Sequence, residues 1–340
     1  MKRLIILCAI LSINGFSKGE DDVIDKYLEG ITVGNPVEYK NLKIFPLELK
    51  IAITNQDFVT LDEATDKGWI KIRESGDGEV NFVEVRNNGL SAVFLMTGEM
   101  ITGAKQDRML KQDVLVPAHS EWIRVPVFCV EHGRWVSVSP EFKSGNLVVP
   151  NAIRSEAKLS ESQSEVWAGI ARDQEKLGIA SGTGTVRANY EDADVQEKVA
   201  DYERNIGSMP KLSKSTIGVV VTTGDQVICF DLFANNQLIG KLWKKLAKSY
   251  AMDAIHGSQS TLTRDEIEDF IATMQNGHLT STGTPGLGKL FDLETEIGKG
   301  TALVYGSAVV HMDYFPNNPQ IIDDDPDLRL DFRRDQRLDE

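Results

Sequence analysis

The chain predicts an α+β fold: an antiparallel β-sheet or sandwich core with three to four packed helices. Two patterns carry that expectation. The first half alternates apolar and polar residues in short runs split by turn signals such as GDG and NNG. Apolar stripes at helical spacing are confined to the middle and the last third. With 41% hydrophobic residues in 340, there is material for a substantial core, and a single domain over 30–316 is expected.

Taken in order, Lys2 and Arg3, the apolar run over 4–13 and the small residues Gly15 and Ser17 predict a cleaved export signal ending at Ser17. The run is too short to span a bilayer, and Cys8 lies inside it rather than after it, which argues against lipid attachment. Residues 18–29 read as a linker. Leu42, Ile44, Leu47, Leu49, Ile51 and Ile53 form an alternating strand pattern, in which Pro46 predicts an edge or a bulge. Further strands are expected at 69–72, 80–85, 91–96, 113–116 and 121–131.

Ser162 with Glu165 gives a capping-box pattern ahead of Val166, Trp167, Ile170 and Ala171, and Gly178 supplies the stop. A second helix should run from 192 to 206 and end at Gly207, with GIASGTGTVRANY between the two as a flexible loop. Runs 217–222 and 226–233 read as a hairpin. Leu238, Ile239, Leu242, Trp243, Leu246 and Tyr250 make the next helical stripe, and Thr263 with Glu266 caps another that carries Ile267, Phe270, Ile271 and Met274. Strands at 287–297, 301–306 and 308–314 follow. Residues 317–340 read as a solvated tail, since 323–340 hold eight acids against four bases.

The formal charge of −14 becomes −16 once Lys2 and Arg3 leave, a balance that excludes nucleic acid and disfavours anionic membranes. No later stretch is long and apolar enough for a membrane span. Cys129 and Cys229 sit in apolar runs, and export leaves their pairing open. His119, His132, His256, His278 and His311 stand singly, without the spacing of a zinc site, and no cofactor is expected.

Two motifs tempt and fail. GTPGLGK at 283–289 has the glycines and lysine of a phosphate-binding loop, but Leu290 stands where Ser or Thr should meet magnesium, and no apolar strand precedes it. Ser155 and Lys158 fit a serine acyltransferase spacing without its companion motifs.

Residues 98–135 concentrate the polar chemistry. Glu99, Lys105, Gln106, Arg108, Glu131, Arg134 and Trp135 cluster among short strands and turns. Alternation puts Ile123, Val125, Val127, Cys129 and Glu131 on one face, so Glu131 points inward and needs a cationic partner, with Arg134, Lys105 and Arg108 nearest. One reading is a buried pair that pins the strand end. The other is a polar pocket in which Lys105 and Arg108 hold an anion, Glu99 and Glu131 orient them or accept hydroxyls, and Trp135 forms a flat wall.

The runs TGEMITGAKQDRML, LVPA and VFCVEHGRW, continued by IGVVVTTGDQVICFDLF, KLWKKLAKSYAMDAI, GLG and HMDYF, resemble the domain named for its association with ADP-ribosylglycohydrolases and rhodanese-phosphatases. The resemblance spans roughly 30–316 and implies a context of ADP-ribose or NAD metabolism, drawn from the proteins its members accompany. The leading expectation is an exported binding module for a small anionic or sugar-phosphate-like ligand. The alternatives are a hydrolase of ADP-ribose-like or glycan substrates using Glu99 or Glu131, and a cell-envelope module that binds a protein partner.

Overall fold

The computed structural model describes residues 21–317, apart from 77 and 210–212. The expected export signal and the tail from 318 onward lie outside them. Helix α1 (Asp21–Gly30) occupies most of the stretch read as a linker. Val23, Ile24, Tyr27 and Leu28 recur at helical spacing and are buried, which gives the segment enough apolar contact to order.

The strands β1 (Ile31–Val33), β2 (Val37–Tyr39), β3 (Leu42–Leu49) and β4 (Val59–Thr60) come next, then helix α2 (Leu61–Asp66) with a reciprocal cap between Thr60 and Glu63. An all-strand stretch follows: β5 (Ile70–Glu74), β6 (Phe82–Asn87), β7 (Val93–Leu95), β8 (Glu99–Gly103) and β9 (Arg108–Leu110). It ends with β10 (Val114–Val116), β11 (Ile123–Cys129) and β12 (Phe142–Val148).

Helices α3 (Asn151–Ser160), α4 (Gln163–Leu177), α5 (Arg187–Glu191) and α6 (Ala193–Ile206) fill the middle. The hairpin β13 (Thr216–Thr223) and β14 (Gln226–Phe233) leads to α7 (Asn236–Ala254) and α8 (Arg264–Gln275). Strands β15 (His278–Thr282), β16 (Lys289–Thr295), β17 (Gly298–Tyr305) and β18 (Ala308–Pro316) complete it. The protein is α+β, but the described residues hold eight helices rather than three or four. The four that sequence periodicity missed, α1, α2, α3 and α5, are ten residues or shorter.

Neither a plain sheet nor a sandwich describes the strands. β11-β6-β5-β12-β8-β9 close into a six-stranded barrel, and β10-β7-β4 form a small sheet beside it. A nine-stranded sheet runs β1-β3-β13-β14-β18-β17-β16-β15, with β2 also pairing β3. β3 is therefore interior, and Pro46 is neither at an edge nor in a bulge. Its carbonyl accepts from Gly34 N at 2.7 Å, on the flank where β2 stops and β1 begins, so the absent N–H faces a seam in the ladder.

Three apolar cores follow from this layout. Ile72, Val83, Val85, Leu110, Val125 and Val127 fill the barrel. Phe45, Leu47, Val220, Phe230 and Met312 lie on the sheet face that α1 and α8 cover. The opposite sheet face, the outer side of the barrel and helices α3, α4, α6 and α7 share the third. Among the described residues no helix is long and apolar enough to cross a membrane.

Candidate functional site

The return from β8 to β9 is tight because Gly103 and Ala104 take positive φ, +121° and +42°. A β-carbon on Gly103 would collide with Ser139 and the Glu141 carbonyl, so the 132–141 loop packs directly on this turn. Ala104 N donates to Ser139 Oγ at 3.0 Å, and Val138 N to Ala104 O at 2.9 Å. At the end of β11, the Glu131 side chain points inward as alternation requires and meets Arg134 Nη2 at 2.6 Å. It also accepts from Asp107 N at 3.0 Å and Thr183 Oγ1 at 3.0 Å. Arg134 Nη1 donates to the Ala104 carbonyl at 2.8 Å and the Val136 carbonyl at 3.0 Å.

Asp107, which sequence reasoning passed over, lies 3.3 Å from Arg134 and 3.5 Å from Arg187 of α5. Burial pushes its carboxyl up despite those partners. Burial alone would also raise Glu131, but Arg134, the Asp107 N–H and Thr183 outweigh it and hold the carboxyl below the ordinary range. The 178–186 loop is tied down here by Thr183 and Thr185 rather than flexible, and Arg187–Glu191 of the same stretch is helical.

Arg108 stands opposite both Cys129 and Ile101 in the barrel ladder. It shares the inward face with Leu110 and Val127, with a side chain 0% exposed. Nη1 donates to Gln106 Oε1 at 3.0 Å, and Gln106 Nε2 in turn donates to the Glu131 carbonyl at 2.8 Å. The Cys129 thiol donates to the same Gln106 oxygen at 3.2 Å, and burial pushes it up. Arg108 Nε and Nη2 have no hydrogen-bond partner. Glu74, inward-facing at the end of β5, accepts from Lys105 N through Oε1 at 2.9 Å. Its Oε2 lies 4.0 Å from Arg108 Nη2 and is also unpartnered.

Not all the predicted residues converge. Gln106, Arg108, Glu131 and Arg134 form one network with Asp107, Cys129 and Glu74. The Lys105 ammonium sits 4.9 Å from the Trp135 ring centroid, and Trp135 is 50% exposed beside Val136 and Val138. Glu99 is elsewhere: it pairs with Lys245 of α7 and accepts from Met96 N at 2.7 Å. Lys245 also reaches Asp62 at 2.6 Å, so Glu99 latches the helix to the barrel. None of the seven lines either of two clefts among the described residues. The cleft of about 280 Å³ lies between the α3 N-terminus, Gln226 and Phe270, and that of about 480 Å³ beside Glu48 and Arg264.

A second buried network carried no local sequence signal. His311 Nδ1 lies 2.8 Å from Asp113, and its Nε2 3.4 Å from Asp231. Arg154 grips Asp231 with both terminal nitrogens at 2.9 and 2.7 Å, Tyr250 donates to it at 2.7 Å, and Lys158 meets Asp313 at 3.0 Å. Three carboxylates and three cations thus join barrel flank, sheet and α3, and this occupies the lysine of the Ser155 motif. The 283–289 glycines also have a packing role. Leu287 N donates to the Leu115 carbonyl of β10 at 2.8 Å, and a β-carbon at Gly286 or Gly288 would strike the Leu115 or Val304 carbonyl. Cys129 and Cys229 are buried free thiols.

Residues 30–315 match the family model described as the ARG and Rhodanese-Phosphatase-superfamily-associated Protein domain. No curated protein and no solved structure matches the chain.

Proposed function

Since the chain belongs to the ARG and Rhodanese-Phosphatase-superfamily-associated Protein domain family, we propose that it is an exported module that binds a small anionic ligand at the Arg108 end of the barrel. The observation that carries this is where the unsatisfied polar atoms lie. Of the eight buried side-chain atoms without a hydrogen-bond partner among the described residues, three, Glu74 Oε2, Arg108 Nε and Arg108 Nη2, lie together at this barrel end. Arg108 faces Cys129 across the ladder, and the Glu74 carboxylate stands 4.0 Å from its Nη2. Folded proteins leave few such groups unpaired, and a cluster of them is a natural place for a ligand.

Binding should raise the melting temperature by several degrees at saturating ligand. The test is a thermal-shift screen with nucleotides, ADP-ribose and sugar phosphates on the wild type and on Arg108→Met. The expected result is a shift in the wild type that the variant loses; a shift the variant keeps, or none at all, overturns the site. Hydrolysis is less well supported, because both carboxylates it would use, Glu99 and Glu131, are committed to buried ion pairs. Export rests on the basic and apolar start of the chain, and mass spectrometry from the native host should find an N-terminus near Lys18. An intact Met1 would remove that part of the proposal.

A further inference from the structure

We infer that the ligand held at Arg108 is an oxyanion carrying its own hydroxyl hydrogen: a protonated phosphate or a hydroxycarboxylate. This rests on the binding reading above and adds the ligand's chemistry to it. The unpartnered Nε and Nη2 share one edge of the guanidinium and present two parallel N–H donors, the geometry that grips two oxygens of a carboxylate or phosphate. The third nitrogen is already taken by Gln106.

Glu74 Oε2 stands 4.0 Å from that edge. A carboxylate oxygen can only accept, and Glu74 is held in place because its other oxygen takes the Lys105 N–H at 2.9 Å. The Cys129 thiol cannot supply the missing proton, since Gln106 Oε1 and the Glu131 carbonyl already receive it. A ligand that satisfies both sides must therefore accept two hydrogen bonds from Arg108 and donate one to Glu74. Sulfate or a simple carboxylate can do only the first, and would set an oxygen lone pair against the Glu74 oxygen. The Glu74 side chain is 16% exposed, although its Oε2 is buried, while Arg108 is not exposed at all.

Titration calorimetry of the full chain at pH 6, where phosphate keeps an O–H, with inorganic phosphate, sulfate, lactate and propionate tests this. Phosphate should bind at least about tenfold more tightly than sulfate, or lactate than propionate, since a site built for a donor rejects the analogue that lacks it. The pair that shows the preference identifies the source, phosphoryl or hydroxy acid. Glu74→Gln, nearly isosteric and therefore expected to fold, should bring the preferred pair to within about threefold, because the amide can donate where the carboxylate could not. If sulfate matches phosphate and propionate matches lactate in the wild type, the hydroxyl requirement is wrong while the anion site stands. If none of the four binds, this inference falls, and a nucleotide or ADP-ribose shift that Arg108→Met abolishes would still keep the site itself.

Discussion

Arg108 and His311 are both fully buried cations, yet they call for opposite expectations. Arg108 leaves two of its donors without a hydrogen bond, so an apolar side chain of similar length should suit the barrel interior better. Arg108→Met is expected to stabilise the protein by about 1–3 kcal/mol in urea unfolding, whereas a loss of that size would make Arg108 a structural group. His311 is fully partnered. Burial alone would lower it, but Asp113 and Asp231 outweigh burial and bring it up to about 9. Because its folded value lies above the unfolded value, its stabilisation is complete below about pH 6.5 and is lost as pH rises through about 9. The wild type should therefore lose up to about 3 kcal/mol between pH 6.5 and 10, more than His311→Gln loses over the same range. Equal losses in the two proteins would show that the histidine is neutral throughout. Glu131 with Arg134 was readable in the sequence because partner and strand end are three residues apart. The His311 network was not, because Asp113, Arg154, Asp231 and Asp313 meet only through the tertiary fold.

At the scale of elements, legibility followed how many faces of each segment are buried. Helices α4, α7 and α8 were plain from one-sided stripes or caps, such as the reciprocal Thr263 and Glu266 pair, and α6 from its stop at Gly207. β9 is buried on both sides, Arg108 and Leu110 inward and Met109 outward, so it shows no alternation and was missed, and with it the closure of the barrel. β12 was lost for another reason: its register shifts between Ser144 and Val148, which breaks the period of two. The glycine loop before β16 yields a prediction at this scale. Gly288 has φ of +88° and faces the Val304 carbonyl, so Gly288→Ala should cost about 2 kcal/mol or more. Calorimetric melting measures it, and a neutral result would mean that the loop does not need its close seat against β17.

At the scale of the whole molecule, the exposed apolar residues are few, and Trp135, Val136 and Val138 account for half of the six large ones among the described residues. The loop bearing them is held by Arg134, which bonds the Ala104 and Val136 carbonyls while it pairs with Glu131 at the barrel end. A different consequence follows from the place of β3 inside the nine-stranded sheet. Its neighbour β13 lies more than 150 residues further along the chain, Val219 opposite Pro46, and that hairpin is flanked in turn by β18 near residue 316. β3 therefore has no partner on that flank until most of the chain has left the ribosome. Early segments of this sheet would wait unpaired on that flank while the rest of the chain is made. Such distant pairing makes for slow folding, and refolding from urea should take on the order of seconds or longer in stopped-flow fluorescence. Complete recovery within milliseconds would show that the sheet does not wait for its last strands.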